Sequence, residues 1–292
     1  MHDQPITRGK VDTLGKQLAG LTVNIAGETF ALDDPRLTKN IRLWLKIMKG
    51  GYVDDKDLTC VPPGIATMLA KRGTGTSPYM TIELENARSI SAESIRRLTQ
   101  WKGKYIALGI TSIDMETAKH LASWGGDRLF LNGLTSLDAN TARELAKLGG
   151  RGYLGLDGLT ALNAETAGEL ARWKGEVLNL DGLTSMDTET AEQLAQWRGD
   201  DLTLRHLISL SAEAAEKLVQ WKGKKLNLGL TLLDAQTAEK LAQWQGGELA
   251  LVFLTSLDAA SAQKLAQFKG QLIVNEKFEK IIAPFRTAHH EQ

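Results

Sequence analysis

The sequence predicts an α/β fold: an open, right-handed β/α solenoid with a parallel sheet on its concave face, helices on its convex face and a cap at each end. Three observations predict it. A unit of about 24 residues recurs along the chain. Each unit reads as a short period-2 strand, a turn and an amphipathic helix. No unit carries enough apolar residues to make a core alone, so neighbours must stack.

The repeat is plainest in LNLDGLTSMDTETAEQLAQWRG (178–199), with siblings starting at 129, 154, 202, 226 and 249. A closing aromatic sets the period. Trp173, Trp197 and Trp221 lie 24 apart, Trp244 follows after 23 and Phe268 after 24 more. Units at 82–103 and 106–126 belong clearly, and LTCVPPGIATMLAKRG (58–73) is a divergent member with Pro62 and Pro63 where its helix begins. The expected count is about nine units over residues 52–270.

Each position has a physical reading. The LxL opening is a strand whose leucines face the core. In the GLT turn, Gly133, Gly158 and Gly182 are expected to take angles other residues resist. Asp138, Asn163, Asp187, Ser211, Asp234 and Asp258 stand at helix N-cap positions. Within one helix, Thr190, Ala191, Leu194, Ala195 and Trp197 fall on one arc, which assigns the tryptophans to the core. Lys174-Gly175 and Lys222-Gly223 read as a cation in the last turn and a left-handed C-cap. A residue is missing at Leu108-Gly109 and Leu228-Gly229, and one is added between Gly150 and Tyr153, all in loops.

Stacked units place successive strands parallel, with the helices as crossovers. Strands pack about 4.8 Å apart and helices about 8–10 Å apart, so the array curves with strands inside. Nine strands span roughly 40 Å at that spacing. A closed barrel would need apolar residues on both strand faces. Here the outward positions read Phe130 and Asn132, Gly155 and Asp157, Asn179 and Asp181, Thr203 and Arg205.

The LxL strand, the turn and the TAxxLAxW helix resemble bacterial leucine-rich-repeat-like proteins over roughly residues 52–270. The Asn of the common LxxLxLxxN pattern is replaced by the Gly-Leu-Thr turn. The resemblance implies a horseshoe or arc that binds proteins, and it implies no catalytic residues.

Both ends read as caps, over 1–51 and 271–292. At the front, residues 21–32 suit a hairpin, and Asp34-Pro35 opens a helix to about Lys49 with Leu37, Ile41, Trp44, Leu45 and Met48 on one side. At the back, Phe278, Ile281, Ile282 and Phe285 are placed to close the last core edge.

Composition narrows the function classes. The chain is 42% hydrophobic and 24% charged, as folded soluble proteins are. Net charge is zero, which gives no global pull toward nucleic acid or anionic membrane. Residues 1–104 nevertheless hold 16 basic and 11 acidic side chains. MHDQPITRGKVDTLGK lacks the apolar core of a secretory signal, so a reducing cytoplasm is the expected compartment. Cys60 is the only cysteine, which excludes an internal disulfide.

No motif places a nucleophile, base or metal set together, so neither an enzyme nor a cofactor is expected. Residues 72–76, Arg-Gly-Thr-Gly-Thr, lack phosphate-loop spacing, and His289-His290 reads as tail. Two groups keep functional interest. Asn132, Asp157 and Asp181, continued by Arg205, should form a concave-face ladder, joined by Phe130, Asn179, Thr203, His206 and Asn227. Arg36, Lys39, Arg42, Lys46 and Lys49 make a basic stripe on the first helix. The expected function is a non-enzymatic protein-binding scaffold with an unidentified protein partner. The alternatives are self-assembly through the convex helices and binding of nucleic acid or an acidic partner by the basic stripe.

Overall fold

The computed structural model describes residues 22–31, 34–49, 54–71, 81–149 and 152–287. The glycine-rich residues 72–76, the addition at Gly150 and the pair His289-His290 lie outside them. Nine strands form one parallel sheet: β3 (Thr81–Leu84), β4 (Tyr105–Leu108), β5 (Arg128–Phe130), β6 (Tyr153–Gly155), β7 (Val177–Asn179), β8 (Asp201–Leu204), β9 (Lys225–Leu228), β10 (Glu248–Ala250) and β11 (Gln271–Ile273). Each pairs only with the strands before and after it in sequence, so the sheet stays open. Between them run α3 (Ala92–Leu98), α4 (Met115–Ala122), α5 (Ala139–Leu145), α6 (Ala164–Leu170), α7 (Thr188–Leu194), α8 (Ala212–Leu218), α9 (Ala235–Ala242) and α10 (Ala259–Leu265). Ahead of the sheet come the hairpin β1 (Thr22–Ile25) and β2 (Glu28–Ala31), then α1 (Pro35–Met48), a 3₁₀ turn (Asp55–Asp57) and α2 (Pro63–Lys71); α11 (Glu276–Thr287) ends the fold.

The register explains the leucines. Ile82, Ile106, Leu129, Leu154, Leu178, Leu202, Leu226, Leu249 and Leu272 pair in one unbroken rung across all nine strands. All are buried. Leu84, Leu108, Leu131, Leu156, Leu180, Leu204, Leu228 and Leu251 are buried two positions on, as period 2 requires. The helices supply the facing column, Leu98, Leu121, Leu145, Leu170, Leu194, Leu218, Leu241 and Leu265.

Helix starts follow the sequence. Asp138, Asn163, Asp187, Ser211, Asp234 and Asp258 each accept a hydrogen bond from the backbone N–H three residues on, 2.7 Å long at Thr190. At Asp138 and Asp187 the neighbouring threonine hydroxyl, then the backbone N–H, hold the carboxyl below its ordinary range. The buried hydroxyls also tie units together. Thr190 donates to Leu162 O at 3.2 Å and Ser261 to Leu233 O at 2.9 Å.

Helix ends differ from expectation. The repeat helices stop at the leucine or one residue past it, and Trp197 lies one turn beyond, its N–H bonded to Leu194 O. The C-caps are right-handed, as at Ala171 (φ −63°) and Val219 (φ −70°). Among the described residues only Ala26 and Gly27, in the β1–β2 turn, have positive φ. The repeat glycines therefore serve close approach. At Gly175, Gly199 and Gly223 a Cβ would fall inside the indole of the tryptophan two residues earlier. At Gly158 it would meet Leu134 O of the preceding unit at 2.5 Å, and Gly133 and Gly182 face similar backbone oxygens.

Each indole thus lies flat over a glycine and stacks on the next unit. Trp173, Trp197, Trp221, Trp244 and Phe268 follow one another with ring centroids 6.0, 5.7, 5.6 and 6.0 Å apart. Trp101 and Trp124 make a second stack at 6.5 Å. Buried Leu148 holds the corresponding place in the unit between Trp124 and Trp173.

The front end differs from the sequence reading in two ways. Among the described residues the divergent unit at 58 contributes no strand; the ninth strand is β11, within the 271–292 stretch expected as the C-terminal cap. The 3₁₀ turn Asp55–Asp57 packs against β3 instead, and Asn40, buried on α1, holds the segment that follows it. Its Oδ1 accepts from Thr59 N (2.9 Å) and Cys60 N (3.3 Å), while its Nδ2 donates to Thr59 Oγ1 (2.8 Å). Trp44 Nε1 donates to Cys60 O at 3.0 Å. These bonds pin α1 to the segment Thr59–Cys60 that leads into α2. They also set the face α1 buries: Leu37, Asn40, Trp44 and Ile47, leaving Leu45 (47%) and Met48 (46%) exposed. At the back, Phe278 and Ile282 of α11 are buried, and Ile281 and Phe285 pack beside them.

Two stability predictions follow from these contacts. Asn40→Ala strands buried amides, a loss of about 1–3 kcal/mol for each group left without a partner, so its denaturant midpoint should fall clearly; an unchanged midpoint would show that water replaces the side chain. Trp197→Ala should cost about 3–5 kcal/mol. Trp197→Leu should cost less, because Leu148 already fills that place in a sister unit, and urea melts of the two variants decide it.

Candidate interaction surface

The leucine rungs face the helices, so alternate strand residues form the sheet's outer face. Near one end it carries three rings. Phe130 on β5 lies between Tyr105 on β4 and Tyr153 on β6, with centroids 4.7 and 4.5 Å apart. Gly155 makes room for them. A Cβ there would meet Asn132 Oδ1 at 2.8 Å and Phe130 Cδ1 at 2.9 Å. Tyr153 stacks on Phe130 and Tyr105 is tilted against it, so the middle ring is flanked on both sides.

The middle strands carry a hydrogen-bonded polar network. Asn179 donates to Tyr153 Oη at 2.6 Å and accepts from Thr203 Oγ1 at 2.7 Å and from Asp181 N at 2.9 Å. Asp181 Oδ1 accepts from Arg205 N at 2.8 Å, and its Oδ2 lies 3.9 Å from the Arg205 guanidinium. His206 Nδ1 sits 2.6 Å from Asp181 O. Asn179, Asp181 and Thr203 are buried, so their polar atoms serve one another. Arg205, His206 and Asn132 are exposed, and Asn227 is half-buried. Asp157 is the strained member. Its Oδ1 is buried with no hydrogen-bond partner among the described residues. Burial, and then the charge of Asp181, push its carboxyl up to about 6.

One edge of the sheet has a different chemistry. Seven large hydrophobic side chains are exposed among the described residues, and four of them lie in three consecutive strand-to-helix loops: Ile208, Leu232, Val252 and Phe253. Ile208 and Leu232 border a cleft of about 570 Å³ floored by Leu210, Leu233 and Leu257. Sister units hold polar or small residues at these places: Thr135 for Ile208, Ser136 for Leu232, Asn132 for Val252, Gly133 for Phe253. Reading the sheet face from the repeat pattern missed this edge, and it missed Tyr105 and Tyr153. Departure from the unit consensus was the signal available for both.

The structure thus gathers Phe130, Asn132, Asp157, Asn179, Asp181, Thr203, Arg205, His206 and Asn227 on one face and the adjoining loops. It keeps the basic stripe apart, on α1, which packs against α2. Arg36 is drawn off by Asp34 (2.7 Å) and Glu28 (3.1 Å). Cys60 is buried, and burial, above all, raises its thiol to about 11, so it is no nucleophile. Among the described residues no three His, Cys, Asp or Glu side chains converge as metal ligands would, and no helix is long and apolar enough to cross a membrane.

Strand–turn–helix units on an open parallel sheet are the architecture of leucine-rich-repeat-like solenoids. No family model matches the sequence. No curated protein matches it either. Among solved structures, an internalin (inlF) of Listeria monocytogenes is similar over 86% of this chain and 79% of its own, at 15% identity and a TM-score of 0.42.

Asp157 offers a pH test. Its folded-state carboxyl titrates near 6 against an ordinary 3.8, so the proton it holds stabilises the fold below about pH 4 and that stabilisation is lost as pH rises through 6. Asp157→Asn should therefore raise the melting temperature at pH 7.5 and leave it unchanged near pH 4. A lower melting temperature at pH 7.5 would mean that the charged carboxylate is a favourable part of the network.

Proposed function

We propose that this protein is a non-enzymatic interaction module that holds another protein on the outer sheet face and its apolar loop edge. One observation carries the reading. Ile208, Leu232, Val252 and Phe253 stand exposed in three successive strand-to-helix loops, at places where sister units hold threonine, serine, asparagine and glycine. Exposed apolar groups weaken solubility, and a contiguous set rimmed by polar residues is characteristic of protein contact surfaces. Arg205 and His206 lie on the same loop run as Ile208, and the rings of Tyr105, Phe130 and Tyr153 sit further along the face. Arginine and aromatic residues are the types that carry most of the energy of protein interfaces.

The mixed charge of Asp181 and Arg205 disfavours a nucleic acid. Self-assembly is the competing outcome. Partners captured from the native host by the intact chain should be lost on a bait carrying Ile208→Ser, Leu232→Ser and Phe253→Ser. Equal recovery on both baits would sink this reading, and recovery of the chain alone would favour assembly.

A further inference from the structure

The first helix carries a second surface, separate from the sheet face and its loop edge. Two of the remaining exposed large hydrophobics, Leu45 and Met48, lie on α1 with half-buried Ile41. The three stand at i, i+4 and i+7, so they form one apolar row along the helix. Each is followed directly by a cation: Arg42, Lys46 and Lys49. That makes a parallel basic row beside the apolar one, with Lys39 at its head. None of Lys39, Arg42, Lys46 and Lys49 makes an ion pair with a described residue, whereas Arg36 is occupied by Asp34 and Glu28. The opposite side of α1 is committed to the core through Leu37, Asn40, Trp44 and Ile47. Ile41 still packs against the core's edge, whereas Leu45 and Met48 stand outside the core cluster of the described residues.

We infer that this face of α1 docks an acidic amphipathic helix of a partner protein. Charge and shape both select that occupant. Two helices approach to about 8–10 Å when a row of one packs against a row of the other. A partner row of leucines would cover Ile41, Leu45 and Met48, and carboxylates flanking that row would reach Arg42, Lys46 and Lys49. Methionine adapts to irregular apolar partners. A nucleic acid would engage the cations alone and leave Leu45 and Met48 in water. An anionic bilayer takes up a helix whose whole apolar face sinks about 5–10 Å into it. Here that face is already turned to the core, and a single row remains.

The test uses a fluorescein-labelled synthetic helix of three heptads, with leucines on one face and glutamates flanking them, titrated against the full chain by fluorescence anisotropy. Saturable binding is expected. It should weaken at least tenfold in Leu45→Ser/Met48→Ser and at least tenfold in Arg42→Glu/Lys46→Glu, while Ile208→Ser/Phe253→Ser leaves it unchanged. Circular dichroism and the melting midpoint of each variant establish that folding is intact. Absence of saturation overturns the inference, as does equal binding of a peptide with the same composition but scattered leucines. Tighter binding of duplex DNA or of phosphatidylserine vesicles would overturn it in favour of those ligands. Self-association abolished by Leu45→Ser/Met48→Ser would assign the face to a second copy.

Discussion

Leucine packed on leucine along the sheet is the contact on which everything else in this molecule depends. A strand of three or four residues and a helix of seven or eight bury almost nothing by themselves, so each unit is stable only through its neighbours. That requires one register throughout, because a slip of one residue would turn every leucine outward. The rung from Ile82 to Leu272 holds although the units differ in length. Ile106 pairs with Leu129 and Leu129 with Leu154, spacings of 23 and 25 residues absorbed in the loops. Dependence on neighbours also explains the ends. The first and last rungs have no further unit to cover them, so α1 with Asn40 and α11 with Phe278 and Ile282 supply the missing surface.

The aromatic column answers a second geometric need. Units stack about 4.8 Å apart at the strands and must spread toward the helices. Indole rings at 5.6–6.0 Å fill the widening gap just beyond the helix ends. They can lie flat only because a glycine follows two residues later, so tryptophan and glycine work as a pair. At the 23-residue steps the indole N–H also reaches the preceding unit: Trp124 to Trp101 O at 3.2 Å and Trp244 to Trp221 O at 2.9 Å. Trp197 and Trp221, at 24-residue steps, leave theirs unbonded.

What the sequence disclosed follows from the same physics. Spacing and polarity are read directly from a chain, so the strand leucines, the N-caps and the buried tryptophans were legible. Glycine is ambiguous, since a left-handed angle and an absent Cβ ask for the same residue. Gly175 was therefore assigned the right importance for the wrong reason. Asn40 was invisible, because a polar residue on a helix declares no partner until Thr59 and Cys60 are brought beside it. Asn40 shares the buried face of α1 with Leu37, Trp44 and Ile47, and Leu45 and Met48 are left exposed. The ladder of Asn179, Asp181 and Thr203 was legible as a row, but its inward bonding depends on Tyr153 reaching Asn179 on the adjacent strand.

A repeat protein divides its residues by kind. Positions that agree from unit to unit are those stacking demands: the leucines, the Asp or Ser cap, the Trp with its glycine. Stacking tolerates many residues at loop and outward positions, so chemistry that persists there against the consensus has another cause. Thr, Ser and Gly suffice for the strand-to-helix turn in most units, yet the units of β8, β9 and β10 place Ile208, Leu232 and Phe253 there and leave them exposed at a cost to solubility. An origin in binding accounts for both their apolar character and their confinement to adjacent units, since a rigid partner can touch successive units only along one edge.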